Sequence, residues 1–318
     1  MMTGENVRRM MTVPVQAVHV DSPTETRNPR TKDIDLMSTA GILGAINAED
    51  RTVPGAVAAV LPEVARAVDH AVDAIRGGGR VHYVGAGTSG RLATLDAAEL
   101  VPTFNVPGDW FIAHHAGGER ALRQAVENAE DDSAAGAAEM AAMVQPGDFV
   151  LGLTASGRTP YVLGALAAAS RQGARTGLVS GNAKAAKPAG VDVLIAVDTG
   201  PEAIAGSTRM KAGTAQKMIL TSFSTATMIK LGRTYSNLMV SMRATNAKLR
   251  GRTIRILQEA TGMTMADCSD ALTEAGGDLK VALVHLLSGE DVKSAAKALH
   301  TSGGHVRKAL DLVRVRAS

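Results

Sequence analysis

A glycine-rich segment between an apolar run and a helical stretch is the first place where the residue types could bind a ligand. It reads GAGTSGR over residues 85–91. Glycines let a backbone approach a ligand closely, and the first N–H groups of a helix point toward a bound anion. Thr88 and Ser89 add hydroxyl donors, so Thr88, Ser89 and Gly90 are candidate ligands of a phosphate group.

The same segment matches the G-x-G-x-x-G pattern of dinucleotide-binding folds, so that alternative has to be considered. Such folds place a carboxylate after the second strand to hold a ribose. Here the second apolar run, WFIA at residues 110–113, leads into His114 and His115 with no carboxylate at its end. The motif alone therefore leaves a nucleotide, a sugar phosphate or other phosphate, and a purely structural turn open, and it favours the phosphate.

A second loop of similar chemistry reads TASGRTP over residues 154–160 and again opens a helix, with a proline near its first turn. Its candidate ligands are Ser156, Gly157 and Thr159. Arg158 could add charge or form a surface ion pair. Two such loops after strands of one sheet are less expected by chance than one, and together they indicate a monophosphate held by hydroxyls and backbone N–H groups.

A third cluster, GSTRMKAGTAQK at residues 206–217, repeats the combination of hydroxyl and basic side chains. Small hydroxyl residues at a helix start usually cap the helix. The cluster is therefore either a structural helix start or a further part of an anion site.

These loops need a scaffold, and the apolar pattern provides one. Strand-like runs alternate with helical stretches, which predicts an α/β fold with a five-stranded, mostly parallel sheet flanked by helices. Ligands of such sheets bind at the carboxyl ends of the strands, where both loops lie. The predicted strands cover residues 80–85, 110–113, 148–153, 175–180 and 192–197, and two long helices are predicted at 208–231 and 236–258.

The chain divides into three predicted parts. Residues 1–32 are polar and aperiodic, which indicates a flexible N-terminal arm. Residues 33–260 form the sheet domain. Residues 261–318 carry short helical patterns broken by glycines and predict a small three-helix module similar to ubiquitin-associated domains, with packing or dimerisation as its simplest role.

Composition excludes several functional classes. A disulfide scaffold is excluded because Cys268 is the only cysteine, and a lone thiol suits a reducing, cytoplasmic location. The 34 Lys+Arg against 31 Asp+Glu and the 3% of aromatic residues argue against nucleic acid as a partner. No apolar run reaches the roughly 18 residues of a membrane span, and no signal-peptide pattern is visible.

Longer strings make a family resemblance specific. From about Thr24 to the C-terminus the sequence resembles, in order, the N-acetylmuramic acid 6-phosphate etherases, bacterial cell-wall recycling lyases with a sugar-isomerase (SIS) domain. The fold implied is a flavodoxin-like three-layer sandwich. The strings are TRNP, DIDLMSTAGIL, INAEDRTVP, VGAGTSGRLATLDAAELVPTF, ENAEDD, ASGRTPYV, AGSTRMKAGTAQK and NLMVSMRATNAKL.

The resemblance implies cleavage of the ether that joins D-lactate to carbon 3 of the sugar phosphate, giving N-acetylglucosamine 6-phosphate and D-lactate. The aldehyde of the ring-opened sugar acidifies the proton on carbon 2. A base removes that proton, an acid protonates the departing ether oxygen, and water adds to the unsaturated intermediate. Two carboxyl groups suffice for this chemistry, so neither a metal nor another cofactor is expected.

Two glutamates match the essential positions of the family. Glu99 lies in the segment DAAE, where the family has its proton donor, and Glu130 lies in the segment AED, which carries the second essential glutamate. We assign Glu99 as the acid and Glu130 as the base. The resemblance identifies these two residues as a pair and does not by itself say which of them is the acid. The sequence departs from the family at Ala98, where Ser is common, and at 100–101, where Cys-Pro is frequent.

Two alternatives use the same fold. A sugar-phosphate aldose–ketose isomerase would share the phosphate loops and an acid–base pair, and a non-catalytic SIS regulator would only bind the sugar phosphate. Retention of both Glu99 and Glu130 favours the enzyme. Because SIS domains commonly pair, the resemblance also implies a homodimer whose subunits share their active sites.

Overall fold

A five-stranded sheet forms the centre of the computed structural model, which describes residues 23–242 and 247–317. The strand order is β2-β1-β3-β4-β5, and every neighbouring pair is parallel. All five carboxyl ends therefore lie at one edge of the sheet, with the ends of β1 and β3 side by side. The strands are β1 (Val81–Gly85), β2 (Phe111–His115), β3 (Phe149–Thr154), β4 (Arg175–Ser180) and β5 (Val193–Ala196).

Helices cover both faces of this sheet, which confirms the predicted α/β fold class. In the part of the chain that the structure describes, no helix is long and apolar enough to cross a membrane. Up to the last strand the helices are α1 (Thr39–Asp50), α2 (Val53–Ala58), α3 (Leu61–Arg76), α4 (Gly87–Phe104), α5 (Gly118–Arg123), α6 (Ser133–Met143) and α7 (Pro160–Arg171), followed by α8 (Lys211–Lys230).

The alternation of side chains along each strand separates two apolar layers. Tyr83 and Leu151 point into the layer that α2, α3, α4 and α8 form. Val84 and Val150 point to the opposite side, where α6 and α7 pack. Successive strand residues face opposite sides of a sheet, so a strand buried on both faces appears in the sequence as a continuous apolar run.

Two histidines interrupt the apolar interior with a buried polar network at the amino end of β3. Asp148 accepts hydrogen bonds from the N–H groups of Arg80 at 2.7 Å and Gln145 at 2.8 Å. Nε2 of His82 lies 3.2 Å from Oδ2 of Asp148, and Nδ1 of His82 lies 3.0 Å from Nε2 of His114. His82 is fully buried and His114 nearly so.

The network continues into the helical layer beyond β2. Nδ1 of His114 lies 2.8 Å from a carboxylate oxygen of Glu139, whose other oxygen accepts a hydrogen bond from the hydroxyl of Tyr161. The hydrogen bond with His114 lowers the pKa of Glu139, and burial raises the pKa of Tyr161. His82 and His114 thus link the sheet to α6 and α7.

This network predicts a loss of stability in mild acid. Burial, reinforced by the neighbouring His114, lowers the pKa of His82 from 6.5 to about 4. Between these two pH values His82 is protonated in the unfolded chain but not in the folded chain. The free energy of unfolding should therefore fall as the pH falls from about 6.5 to about 4. In urea titrations at several pH values, His82→Gln should flatten this slope. The exposed His300→Gln should not, and equal slopes in all three proteins would contradict the assignment.

The region after α8 differs from the predicted helix at 236–258. A hairpin of β6 (Thr234–Tyr235) and β7 (Leu238–Met239) follows α8, and the next helix, α9, spans Ala247–Thr261. Ser236 has a φ of +52° at the turn, a left-handed conformation that cannot continue a helix. Strands of two residues leave no apolar run long enough to recognise in the sequence.

The C-terminal segment forms four helices where the sequence indicated three. Three glycine breaks separate four helical segments, because the residues after the third break also form a helix. The core of this bundle includes Val240, Met242 and Leu257, so it extends across the predicted boundary at residue 261. The helices are α10 (Met265–Glu274), α11 (Leu279–Ser288), α12 (Val292–Thr301) and α13 (Val306–Ala317).

Part of the predicted N-terminal arm contacts the loop before α8. The hydroxyl of Thr31 donates to the carbonyl of Ala203 at 2.7 Å, and Nδ2 of Asn28 donates to the carbonyl of Pro201 at 3.3 Å. Asn28 and Thr31 are buried, as is Thr24. From Pro23 onward the segment is therefore packed against the domain, and residues 1–22 lie outside the described part of the chain.

Candidate active site

The first candidate phosphate loop, residues 85–91, becomes the start of α4 at the carboxyl end of β1. Ser89 is buried, and its hydroxyl donates to Oε1 of Gln216 at 2.8 Å. Gly90 packs so closely that a Cβ there would lie 2.4 Å from Cδ2 of His115. Gly90 therefore allows the close approach of α4 to β2, while Thr88 and Ser89 carry the hydroxyls of the loop.

The second loop follows β3, directly beside the first. Oγ1 of Thr154 lies 2.6 Å from Oγ1 of Thr159 and 3.3 Å from Oγ of Ser156, and it accepts a hydrogen bond from the N–H of Gly157 at 3.3 Å. Gly157 has a φ of +78°, and a Cβ on it would lie 2.7 Å from Oγ of Ser180. Thr154 thus sets the positions of the predicted hydroxyls, and only glycine fits at 157.

The start of α8 meets both loops. A Cβ on Gly213 would lie 3.4 Å from Cγ2 of Thr88, and a Cβ on Gly181 would lie 3.4 Å from Cβ of Ala212 and 2.9 Å from the carbonyl oxygen of Ala155. The structure therefore brings the three loops that the sequence singled out to one edge of the sheet.

Two acidic side chains satisfy the start of α8, so the third cluster is partly structural. The carboxylate of Glu202 accepts hydrogen bonds from the N–H groups of Lys211 at 2.8 Å and Ala212 at 2.9 Å. Nζ of Lys211 is buried and donates to Glu49 at 2.8 Å. The first amides of α8 and its first lysine are therefore already occupied.

Glu130 lies beside the first candidate phosphate loop. It is exposed in a short 3-10 turn, Ala129–Asp131, at the rim of a cavity of about 170 Å³. Gly87, Arg91 and His115 line the same cavity. The two ring nitrogens of His115 lie 3.1 Å from the carbonyl oxygen of Gly87 and 2.8 Å from that of Ala116, so this histidine holds the loop in place.

Glu99 lies on a different part of the surface. It is exposed on the fourth turn of α4 and lines a cavity of about 340 Å³ together with Leu95, Asp96 and Lys217. Within one chain, the structure therefore places Glu99 and Glu130 in separate cavities, each bordered by α4.

Two further residues border these sites and were not chosen from the sequence. Asp96 is held by the hydroxyls of Tyr83 at 2.9 Å and Ser224 at 3.1 Å, and burial raises its pKa. Nε2 of the buried Gln216 has no hydrogen-bond partner among the described residues. Both lie within strings already noted, DAAE and TAQK, but only the folded chain shows that Gln216 meets Ser89 from 127 positions away.

This chain is similar in sequence to one family of domains and to several named enzymes. Residues 63–170 match the family described as Glucokinase regulatory protein N-terminal SIS domain. The chain is 62% identical over 279 residues to the N-acetylmuramic acid 6-phosphate etherase of Thermobifida fusca (strain YX), covering 88% of this chain and 91% of that protein. It is 49% identical over 288 residues to the enzyme of the same name from Serratia proteamaculans (strain 568), covering 90% and 97%.

Among solved structures, a phosphoheptose isomerase from Francisella tularensis aligns with 61% of this chain and 100% of that chain, at a TM-score of 0.47 and 20% identity. The sequence relatives are far closer, and they match this chain along nearly its whole length. The family resemblance drawn from the motifs is confirmed, and this chain belongs to the N-acetylmuramic acid 6-phosphate etherase family.

Proposed function

We propose that this chain cleaves the D-lactyl ether of N-acetylmuramic acid 6-phosphate in amino-sugar recycling in the cytoplasm, releasing D-lactate and N-acetylglucosamine 6-phosphate. The observation that carries the proposal is the near full-length match to enzymes of that name, at 62% and 49% identity. The three hydroxyl-bearing loops at one edge of the sheet, with Glu130 in a cavity beside the first of them, support it.

The chemistry needs only proton transfers around the bound sugar. Glu130 removes the proton from carbon 2, the electron pair forms the double bond to carbon 3, and the bond from carbon 3 to the lactyl oxygen breaks. Glu99 gives its proton to that oxygen. Water then adds its hydroxyl to carbon 3 and a proton to carbon 2, which restores a saturated sugar. We assign the phosphate group to Thr88, Ser89, Ser156 and Thr159, with Gly90 and Gly157 shaping their loops.

A homodimer would explain why Glu99 lies apart from Glu130 in one chain. Leu95, four residues before Glu99 on the same face of α4, exposes 54% of its surface and lines the same cavity. Exposed apolar residues beside a functional carboxylate are typical of a surface that a second copy covers. We propose that two subunits pair here, so that Glu99 reaches a site that both subunits complete. Sedimentation that finds a fully active monomer would contradict this arrangement.

The activity is tested by incubating the purified protein with N-acetylmuramic acid 6-phosphate and measuring D-lactate. The proposal expects lactate and N-acetylglucosamine 6-phosphate in equal amounts. A ketose product without lactate would instead identify an isomerase. Tight binding of the sugar phosphate by the folded protein with no turnover would identify a binding protein, and either result would overturn the proposal.

The contact between Ser89 and Gln216 predicts that replacing either residue weakens binding of the sugar phosphate. As placed, the hydroxyl of Ser89 donates to Oε1 of Gln216. If the amide is turned, Nε2 donates to Ser89 and frees the Ser89 proton for the phosphate. Gln216→Leu and Ser89→Ala should each lower kcat/KM about 10- to 100-fold, the value of a hydrogen bond to a charged group, mainly by raising KM.

A matched control removes a hydroxyl far from the site. Ser288 donates its hydroxyl to the carbonyl of Val284 within the C-terminal bundle, and Ser288→Ala should leave KM unchanged. If Ser89→Ala lowered kcat with the KM intact, the assignment of Ser89 to the phosphate would be wrong.

A further inference from the structure

A cavity of about 380 Å³ lies where the C-terminal bundle meets the amino edge of the sheet. Its wall is formed by Arg76 at the end of α3, Trp110 just before β2, Arg233 after α8, and His305 and Lys308 at the start of α13. These five side chains come from four separate parts of the chain. The cavity therefore exists only in the folded protein.

The charged side chains of this wall are all basic. None of the residues that line the cavity is acidic. Among the described residues, Arg76, Arg233 and Lys308 form no ion pair with a carboxylate. Arg233 is half-buried, and its guanidinium carbon lies 4.8 Å from the centre of the Trp110 ring. A partly buried charge without a counter-charge is costly unless a ligand supplies one.

Backbone carbonyls account for some of these cations but not for all. The guanidinium of Arg76 donates to the carbonyl of Lys230 at 2.9 Å. Lys280 lies behind the wall, and its Nζ donates to the carbonyls of Gly232 at 2.7 Å and Gly304 at 3.0 Å. The side chains of Arg233, His305 and Lys308 have no such acceptor among the described residues, which leaves their donors available.

The titration of neighbouring groups supports this picture. Burial, followed by the charge of Arg233, lowers the pKa of Lys280 to about 8, although Asp278 opposes the shift. Burial and the charges of Lys308, Arg76 and Lys280 lower the pKa of His305. The cations thus repel one another, and a bound anion would relieve that repulsion.

We propose that this cavity is a second ligand site, which binds a small, multiply charged anion of the phosphate type through Arg233, His305 and Lys308. A guanidinium presents paired donors that match two oxygens of a phosphate. The N-terminus of α13, a helix of 12 residues, adds a favourable dipole at His305. The site is distinct from the sugar-phosphate loops, which lie at the opposite edge of the sheet, about 17 Å away along five-residue strands.

The position of Trp110 makes the proposal directly testable, because it is the only tryptophan in the chain. Titration with pyrophosphate, followed by tryptophan fluorescence, should give a saturable change. Arg233→Met and Lys308→Glu should each weaken the apparent affinity about tenfold or more. Lys308 is exposed, so its replacement is not expected to affect folding. The Lys308→Glu variant also keeps the contact between Arg233 and Trp110.

Two controls separate this site from other causes. Arg307 is a cation on the same helix that lies over Tyr235, 5.1 Å from its ring centre, and Arg307→Met should bind pyrophosphate as the native chain does. Ser89→Ala should also keep the tryptophan signal. The proposal is overturned if no saturable change occurs, if Lys308→Glu binds normally, or if the Ser89 or Arg307 variant abolishes the signal.

Discussion

Glu99→Gln and Glu130→Gln are each expected to fold normally and to release D-lactate about 10²- to 10⁴-fold more slowly than the native chain, the range that general acid and base groups supply. Glutamine keeps the size of the side chain but can neither take up nor give a proton. Both glutamates are exposed, so the loss should not come from unfolding. Circular dichroism and the melting temperature check the fold, and a D-lactate assay checks turnover.

Isotope exchange separates the two roles. In heavy water, Glu99→Gln should still exchange the proton on carbon 2 without releasing lactate, because the base remains. Glu130→Gln should lose that exchange. The reverse pattern would make Glu99 the base and Glu130 the acid. Near-native turnover in either variant would show that the replaced residue has no role in the mechanism.

A matched control lies in the same cavity as Glu130. Glu127 is also exposed and lines that cavity, so Glu127→Gln changes the local charge by the same amount. Its turnover should stay close to that of the native chain. If it fell as far as that of Glu130→Gln, the effect would be one of general charge near the phosphate and not of a positioned base.

The scaffold was predictable because its signals are local. Continuous apolar runs identified the five strands to within about two residues, and β4 at Arg175–Ser180 matches the prediction. A parallel sheet buried on both faces leaves such runs in any sequence. The hairpin of β6 and β7 was missed since each strand has two residues, too few for a period to show.

The candidate site was predictable only in part. The hydroxyl loops carry a recognisable local pattern, but Glu99 and Glu130 are ordinary exposed carboxylates, and only the family resemblance distinguished them. Lys211 is the opposite case, a residue that the local pattern suggested for the site and that the structure uses elsewhere. It stands in a cluster that suggested an anion site, yet its ammonium is buried against Glu49, 162 positions earlier in the chain. No local pattern in a sequence reports a partner that distant.

The second large effect is a loss of stability, expected when the buried ion pair of Glu49 and Lys211 is broken. Glu49 accepts hydrogen bonds from Nζ of Lys211 at 2.8 Å and from the guanidinium of Arg30 at 2.5 and 2.8 Å. The hydrogen bond with Arg30, aided by Lys211, lowers the pKa of Glu49 to about 2. Glu49→Gln would remove the carboxylate that is hydrogen-bonded to the buried ammonium of Lys211. The free energy of unfolding should fall by about 3–5 kcal/mol, measured by urea titration.

Three further measurements test this cause. Arg30→Gln should cost about 1 kcal/mol or less, because the Arg30 side chain is 61% exposed. The double variant Glu49→Gln/Lys211→Met should recover most of the loss, since it removes both charges. Native stability should also decline as the pH falls from about 4.5 toward 2, because Glu49 binds a proton more readily in the unfolded chain. If the double variant were as unstable as Glu49→Gln alone, the loss would come from packing around residue 49, because an unpaired Lys211 charge would no longer be present to cause it.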